Sequence, residues 1–213
     1  INGLGGHSWA DYGKIPSAIH AMARAIAKFV DLRPAADPKT SWTVGTIKGG
    51  TSVNSIAGSC SVDIDMRSTE NESLEAIEAQ ILSKFEEAVA EENASWAVKD
   101  DSYLLTVTKE MIGNRPAGTR PDDCPVLQAS RSAQKLLGIE MSSYVRSSTD
   151  ANAPMGAGIP STCLGTGGRG VHTHNLKEYF EMVDTHLGPQ LIMLTSLALV
   201  GLEDEAPLLP KRA

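Results

Sequence analysis

Cysteine is scarce in this chain. Cys60, Cys124 and Cys163 are scattered singly, too few for a disulfide framework or a paired CxxC zinc site, so a reducing, cytoplasmic setting is the expectation. Basic side chains are also in short supply. Lys and Arg total 19 against 26 Asp and Glu, a formal charge of −7, which excludes the concentrated basic face of a general nucleic-acid binder but leaves a local basic patch open. No apolar run reaches the roughly 18 residues of a membrane span. The longest, around Leu191 to Val200, is broken by Thr195 and Ser196. The chain has no internal repeat and no low-complexity tract. It opens on INGLGGHSWADYG, without an initiator Met or a signal-peptide pattern, and reads as the middle of something longer.

What is present fits one large domain or two small ones. Ile15, Ile19, Met22, Ile26 and Val30 recur at helical spacing, Pro16 suits a first turn, and Pro34 and Pro38 end the segment. Arg24 and Lys28 fall on another face. Ser41 to Ile47 is rich in β-branched and aromatic residues and reads as a strand. Ser61 to Arg67 alternates, with Val62, Ile64 and Met66 on one side and Asp63, Asp65 and Arg67 on the other. Thr69 with Glu72 forms a capping-box pattern ahead of a helix striped by Leu74, Ile77, Ile81, Phe85 and Val89. Tyr103 to Thr108 predicts another strand. Helix, strand, strand, helix, strand, with a short strand ahead near His7, predicts an α/β sandwich of ferredoxin-like type.

Gly113 to Cys124 has the Pro, Gly and charged composition of a boundary, giving domains at 1–112 and 113–213. Val126 to Leu137 predicts a helix stopped by Gly138. A polar turn at Arg146 to Asn152, a short strand at Ile159 to Leu164 and a last helix near Pro189 to Leu202 follow. The second part looks like an incomplete α/β layer whose other strands lie elsewhere.

The stretch Gly165 to Phe180, GTGGRGVHTHNLKEYF, sets glycines and then His172 and His174 after an apolar run, ahead of a segment that can turn helical. Glycine allows close backbone approach and imidazole is the commonest metal ligand. The stretch is either one wall of an active site or a loop with two solvated histidines. Gly165 to Gly170 satisfies G-x-G-x-x-G, but the apolar helix and acid-ended strand of a dinucleotide fold do not follow. Ser147, Ser148 and Asp150 lack the G-x-S-x-G elbow of a serine hydrolase and suit a turn. His20 and His186 read as solvated, and the histidines show no H-x-x-x-H or H-x-D pair to close a zinc site.

Three motifs, read together, carry a resemblance. They are Gly5-Gly6-His7-Ser8 ahead of Pro16; Gly49-Gly50-Thr51-Ser52-Val53-Asn54-Ser55-Ile56 with Asp65-Met66-Arg67; and Ser147-Ser148-Thr149-Asp150-Ala151-Asn152, then Gly158-Ile159-Pro160, Gly167-Gly168-Arg169 and His174 with Glu178. In this order they resemble the dinuclear-zinc hydrolases that include aminoacylases, glutamate carboxypeptidases, succinyl-diaminopimelate desuccinylase and carnosinases. The resemblance spans nearly the whole chain.

It implies a metallopeptidase-like hydrolase of amide bonds in small peptides or N-acyl amino acids, with two zinc ions in a complete active site. The chain would supply a lid, or dimerisation, domain and the C-terminal portion of a zinc-exopeptidase catalytic domain. The family's H-x-D motif, bridging Asp and Glu-Glu pair have no counterpart here. His174 is then the one metal ligand, with His172 as runner-up. His7 matches the lid histidine that reaches a partner subunit's site and stabilises the oxyanion, implying a homodimer through the lid. Asn54 and Arg67 match substrate-binding positions, Arg67 through its fork on a carboxylate. A local ion pair of Arg67 with Asp63 or Asp65 is the other reading of that residue, and a non-catalytic dimerising or binding module is the other reading of the chain. Asp150 would orient a loop near the site, and Gly165 to Gly170 would line it.

Overall fold

A computed structural model describes residues 1–140, 144–145, 147–165 and 167–209. Arg146, expected in the polar turn, and Thr166, in the glycine-rich stretch, lie outside the described residues. The chain divides into two compact units, Ile1–Asn114 and Arg115–Ala213.

In the first unit the order is β1 (Gly6–His7), α1 (Ala18–Phe29), β2 (Thr40–Gly49), β3 (Ser55–Ile56), β4 (Cys60–Ser68) and α2 (Asn71–Ala94). β2 and β4 form the long antiparallel ladder, from Thr40 opposite Ser68 to Gly49 opposite Cys60, with a register shift between Val44 and Thr46. β1 pairs with β3. Beyond β4, Ile1 accepts a bond from the Cys60 N–H at 3.0 Å, and Asn2 exchanges bonds with Thr106 at 2.9 and 2.8 Å. The lateral order is therefore Thr106, Asn2, β4, β2, the antiparallel arrangement expected of a ferredoxin-like sandwich.

Both helices pack on this sheet, and the core between them holds Met22, Phe29, Ile77, Ile81 and Phe85, with Trp42, Val44, Ile64 and Met66 against it. Phe29 stands edge-on to Trp42 at 5.3 Å between ring centroids, a favoured aromatic geometry. The α2 stripe is as its spacing predicts. The α1 stripe is not: Ala18, Ala21, Met22, Ala25 and Phe29 are buried, while Ile19 and Val30 are exposed. Alanines let the helix axis approach its neighbours closely, so the buried face is centred on them and not on the larger β-branched residues. Pro34 and Pro38 do not end α1 either; it stops at Phe29, ahead of both.

Two more expectations change. Glu70 is the N-cap of α2 and no side chain caps it, so Thr69 stands one position too early for a capping box. Its N–H goes instead to the Lys39 carbonyl at 3.1 Å. Tyr103–Thr108 is not a strand. A 3₁₀ turn occupies Asp101–Tyr103, and the Asn93 side chain takes both backbone groups of Leu105, accepting its N–H at 2.9 Å and donating to its carbonyl at 3.0 Å. The segment keeps a single ladder position, the bridge between Thr106 and Asn2, while a side-chain amide satisfies the backbone of Leu105 beside it.

The second unit holds α3 (Pro125–Leu136), α4 (Asn152–Gly156), β5 (Arg169–Val171), β6 (Tyr179–Glu181) and α5 (Leu187–Val200). α3 ends as Gly138 predicts. With φ of 69°, Gly138 donates to Lys135 at 3.2 Å and Ile139 to Gln134 at 2.9 Å, the paired bonds of a Schellman motif. Ile159 to Leu164 is not a strand; its described residues join no ladder. The segment after the histidines is not helical. β5 and β6 close a hairpin, Arg169 opposite Glu181 and Val171 opposite Tyr179, with His172 to Glu178 as its loop.

Candidate functional site

His7 ends β1, where it is register partner to Ser55 of β3. The two glycines ahead of it have separate tasks. Gly5 has φ of 69°, and a Cβ there would lie 2.6 Å from the Ile56 carbonyl oxygen, so only glycine lets β1 run this close to β3. At Gly6 a Cβ would meet the Asp11 carboxylate at 2.7 Å. That carboxylate accepts the His7 backbone N–H at 2.8 Å. The His7 ring folds back over the turn that follows, and its Nδ1 accepts from the Trp9 and Ala10 N–H groups at 3.2 and 3.3 Å. The side chain is exposed, and among the described residues nothing bonds Nε2.

Asn54 sits beside it. The Ser8 N–H donates to the Asn54 carbonyl at 3.0 Å, and the Ser52 hydroxyl donates to Asn54 Oδ1 at 2.7 Å. The acceptor end of the side-chain amide is thereby tied within its own loop, which leaves the NH₂ end to donate outward. The structure brings the two segments together, His7 at the end of β1 and Asn54 in the turn just ahead of β3. Nothing in the sequence marks Asp11 or Ser52 beyond their being turn formers; the spacing of Asp11, four residues after His7, is the signal that could have found it.

Arg67 lies toward the far end of β4, opposite Ser41. Its Nε donates to Asp65 Oδ2 at 2.6 Å, with both side chains more than half exposed. Asp63 is bonded instead by the Thr46 hydroxyl. The local pair foreseen in the sequence is therefore made, with Asp65. Among the described residues no hydrogen bond or ion pair links Arg67 to His7 or Asn54.

In the second unit His172 and His174 both take left-handed backbone, with φ of 59° and 64°, uncommon for residues with a Cβ. The His174 N–H donates to Glu178 Oε2 at 3.3 Å, and the His172 ring meets Tyr179 edge-on at 6.2 Å. His174 is exposed at the hairpin loop. At Gly168 a Cβ would lie 2.1 Å from the Phe180 ring, and at Gly167 it would lie 2.8 Å from the Asp184 carbonyl. Gly168 thus packs on the hairpin's own Phe180, and Gly167 on the chain just beyond it. Asp150 pairs with Arg115 at 3.0 Å. Among the described residues no group of three or more His, Cys, Asp or Glu could hold a metal ion, so the residues here do not by themselves fit a zinc site.

Residues 1–93 match the peptidase dimerisation domain family. The matched residues lie within the first unit, Ile1–Asn114. Over 92% of its length the chain is similar in structure to the aminopeptidase PepT from Bacillus cereus ATCC 10987, at 23% identity and a TM-score of 0.59. Over 91% it is similar to a tripeptidase from Staphylococcus aureus subsp. aureus Mu50, at 21% identity and a TM-score of 0.65. At these identities the likeness is one of fold. The chain spans about half the length of each, 48%. No curated protein matches the sequence. The match to the dimerisation domain agrees with the resemblance carried by the first two motifs, which lie within it, and the α/β architecture is that of these peptidases. No helix among the described residues is long and apolar enough to cross a membrane.

Proposed function

We propose that this chain provides the lid and part of the catalytic domain of a zinc-dependent hydrolase that cleaves amide bonds in small peptides or N-acyl amino acids. The observation that carries the reading is the family match over residues 1–93, the segment that contains His7, Asn54 and Arg67. In this reading His7 donates from Nε2 to the oxyanion of the tetrahedral intermediate, a contribution worth a few kcal/mol for one such donor. Asn54 donates its amide NH₂ to substrate, and Arg67 exchanges Asp65 for a substrate carboxylate.

The assembly is a homodimer through the lid. What supports this is the dimerisation domain itself and the edge of β2, which among the described residues pairs with β4 alone. An unpaired edge ten residues long is a template for a second chain. Two zinc ions are the proposed cofactor, with His174 as one ligand; the described residues supply no full ligand set, and no step of the reaction is assigned to the metal. The proposed compartment is the cytoplasm.

The test is the reading frame upstream of the codon for Ile1 together with the activity of its product. An in-frame H-x-D and Glu-Glu pair, and release of amino acids from tripeptides or N-acyl amino acids by the product, support the reading. A frame without them, and a dimer that binds but does not cleave, would replace the hydrolase with a non-catalytic dimerising module.

A further inference from the structure

The turn after His7 does more than reverse the chain. We infer that residues 8–11 form a positioning device that holds the His7 ring as its Nε2–H tautomer, with Asp11 as the residue that sets the turn.

A backbone N–H can only donate. Two of them, from Trp9 and Ala10, converge on Nδ1 at 3.2 and 3.3 Å, so Nδ1 must present its lone pair. In a neutral imidazole the single proton then resides on Nε2, because the tautomer is set by the bond the other nitrogen makes. Nε2–H points away from the turn, toward where a ligand could accept from it.

Asp11 makes this geometry hold. Its carboxylate accepts the His7 N–H at 2.8 Å, and its own N–H donates to the His7 carbonyl at 3.0 Å. Residue 7 is thus gripped by residue 11 on both backbone groups, and the Trp9 and Ala10 N–H groups are turned toward the ring. Lys14 fastens the far side, its N–H reaching the Asp11 carbonyl at 3.1 Å and its Nζ the Ala10 carbonyl at 2.6 Å. Gly6 is part of the same device. A Cβ there would press on the Asp11 carboxylate at 2.7 Å and on Ile15 Cδ1 at 2.6 Å. The Gly-His-x-x-x-Asp spacing is therefore one unit: room for the carboxylate, the ring, and the group that aims it.

The use of Nε2–H as an oxyanion donor rests on the function proposed above; the tautomer does not, and it is measured without substrate. The experiment is long-range ¹H–¹⁵N correlation on the full chain labelled in histidine, at about pH 8, above the ordinary histidine pKa of about 6.5. His7→Ala identifies the resonances. Expected is a single neutral pattern with a pyridine-like Nδ1 and a protonated Nε2. Asp11→Ala should move the two nitrogens toward an averaged pattern, Asp11→Asn, which keeps an acceptor oxygen, should bring them back, and Gly6→Ala should mimic Asp11→Ala. An averaged or Nδ1–H pattern in the wild type overturns the inference, even where a variant does not fold. A folded Asp11→Ala chain with unmoved His7 shifts removes Asp11 from the device.

Discussion

The Glu92 carboxylate, wholly buried, meets the Arg24 guanidinium at 2.8 Å across the contact between α1 and α2. It is a hub. The same carboxylate accepts from the Trp96 indole N–H at 2.8 Å and from the Ser17 N–H at 3.2 Å, and His20 Nδ1 lies 3.5 Å away. Ser17 is the N-cap of α1 and has no side-chain cap bond of its own. A side chain from the end of one helix therefore satisfies the start of the other, where an orphan N–H and the positive end of the helix dipole both favour an anion.

Replacing Glu92 with Gln puts an amide NH₂ against a site built of donors. It should destabilise the first unit by about 2–3 kcal/mol, because a buried donor is left unmatched. Arg24→Ala should cost less, since Arg24 is nearly half exposed and its charge is partly solvated. Urea unfolding with an unchanged slope measures both.

The same carboxylate gives a pH dependence. Burial pushes the Glu92 pKa up, but its bonds from Trp96, Arg24 and Ser17 and the nearby His20 outweigh this and hold it below the ordinary value. A depressed native pKa contributes stability above the unfolded value, about 4.3, that is lost as pH falls through the native one. Wild-type stability should therefore drop more steeply than that of Glu92→Gln below about pH 4.3. Parallel curves would show that Glu92 is not the group responsible.

How much of this the sequence discloses depends on range. The α2 stripe, the β4 alternation and the stop at Gly138 are local, and their spacing is enough. Tyr103–Thr108 keeps only the Asn2–Thr106 bridge of the expected strand, and the Asn93 amide that occupies Leu105 beside it is something no periodicity reports. The alanine face of α1 is hidden because β-branched residues on its flank dominate the pattern. His7 and Asn54 are legible as motifs, yet what fixes their donor ends, Asp11 and Ser52, lies in ordinary turn residues. Arg67 shows both its local partner and its motif, and the structure displays the first.

For Arg67 the exposed pair with Asp65 is worth about 0–1 kcal/mol, so Arg67→Ala should leave stability nearly unchanged. On the proposed reading it should still damage turnover, and Arg67→Lys should as well, since the charge remains but the planar fork is lost. A substrate with its carboxylate amidated should lose most of the difference between wild type and variant. Equal damage on both substrates would return Arg67 to its bond with Asp65.

His174 gives a metal prediction. A catalytic zinc ordinarily has three protein ligands, and the described residues offer two exposed histidines at the hairpin, His172 and His174, without a third ligand beside them. Calorimetry on this chain should show weak zinc binding at most. Stoichiometric, submicromolar binding that disappears in His174→Ala would contradict this. In an active, metal-loaded protein His174→Ala should deplete zinc and nearly abolish turnover; if His172→Ala does so instead, the choice between the two histidines is reversed.

The last prediction concerns His7 and whether it serves its own protomer or its partner. Its ring is exposed and aimed by backbone bonds alone, so truncation leaves no buried group unsatisfied, only the two N–H groups of an open turn. His7→Ala should therefore fold normally. On the proposed reading, in an active, metal-loaded protein, it should keep the zinc while kcat falls by about a hundredfold or more, as for the loss of one oxyanion donor, with KM changed little, the signature of a bond made in the transition state. If the donor acts across the dimer, mixing His7→Ala with His174→Ala protomers yields hybrids in which one of the two sites receives an intact His7 from one chain and an intact His174 from the other. Activity should then recover partly, in proportion to the heterodimer fraction measured by mass. A sample rich in heterodimers with no recovery confines His7 to its own chain, because a donor acting within its protomer cannot be complemented by a partner that lacks the metal ligand.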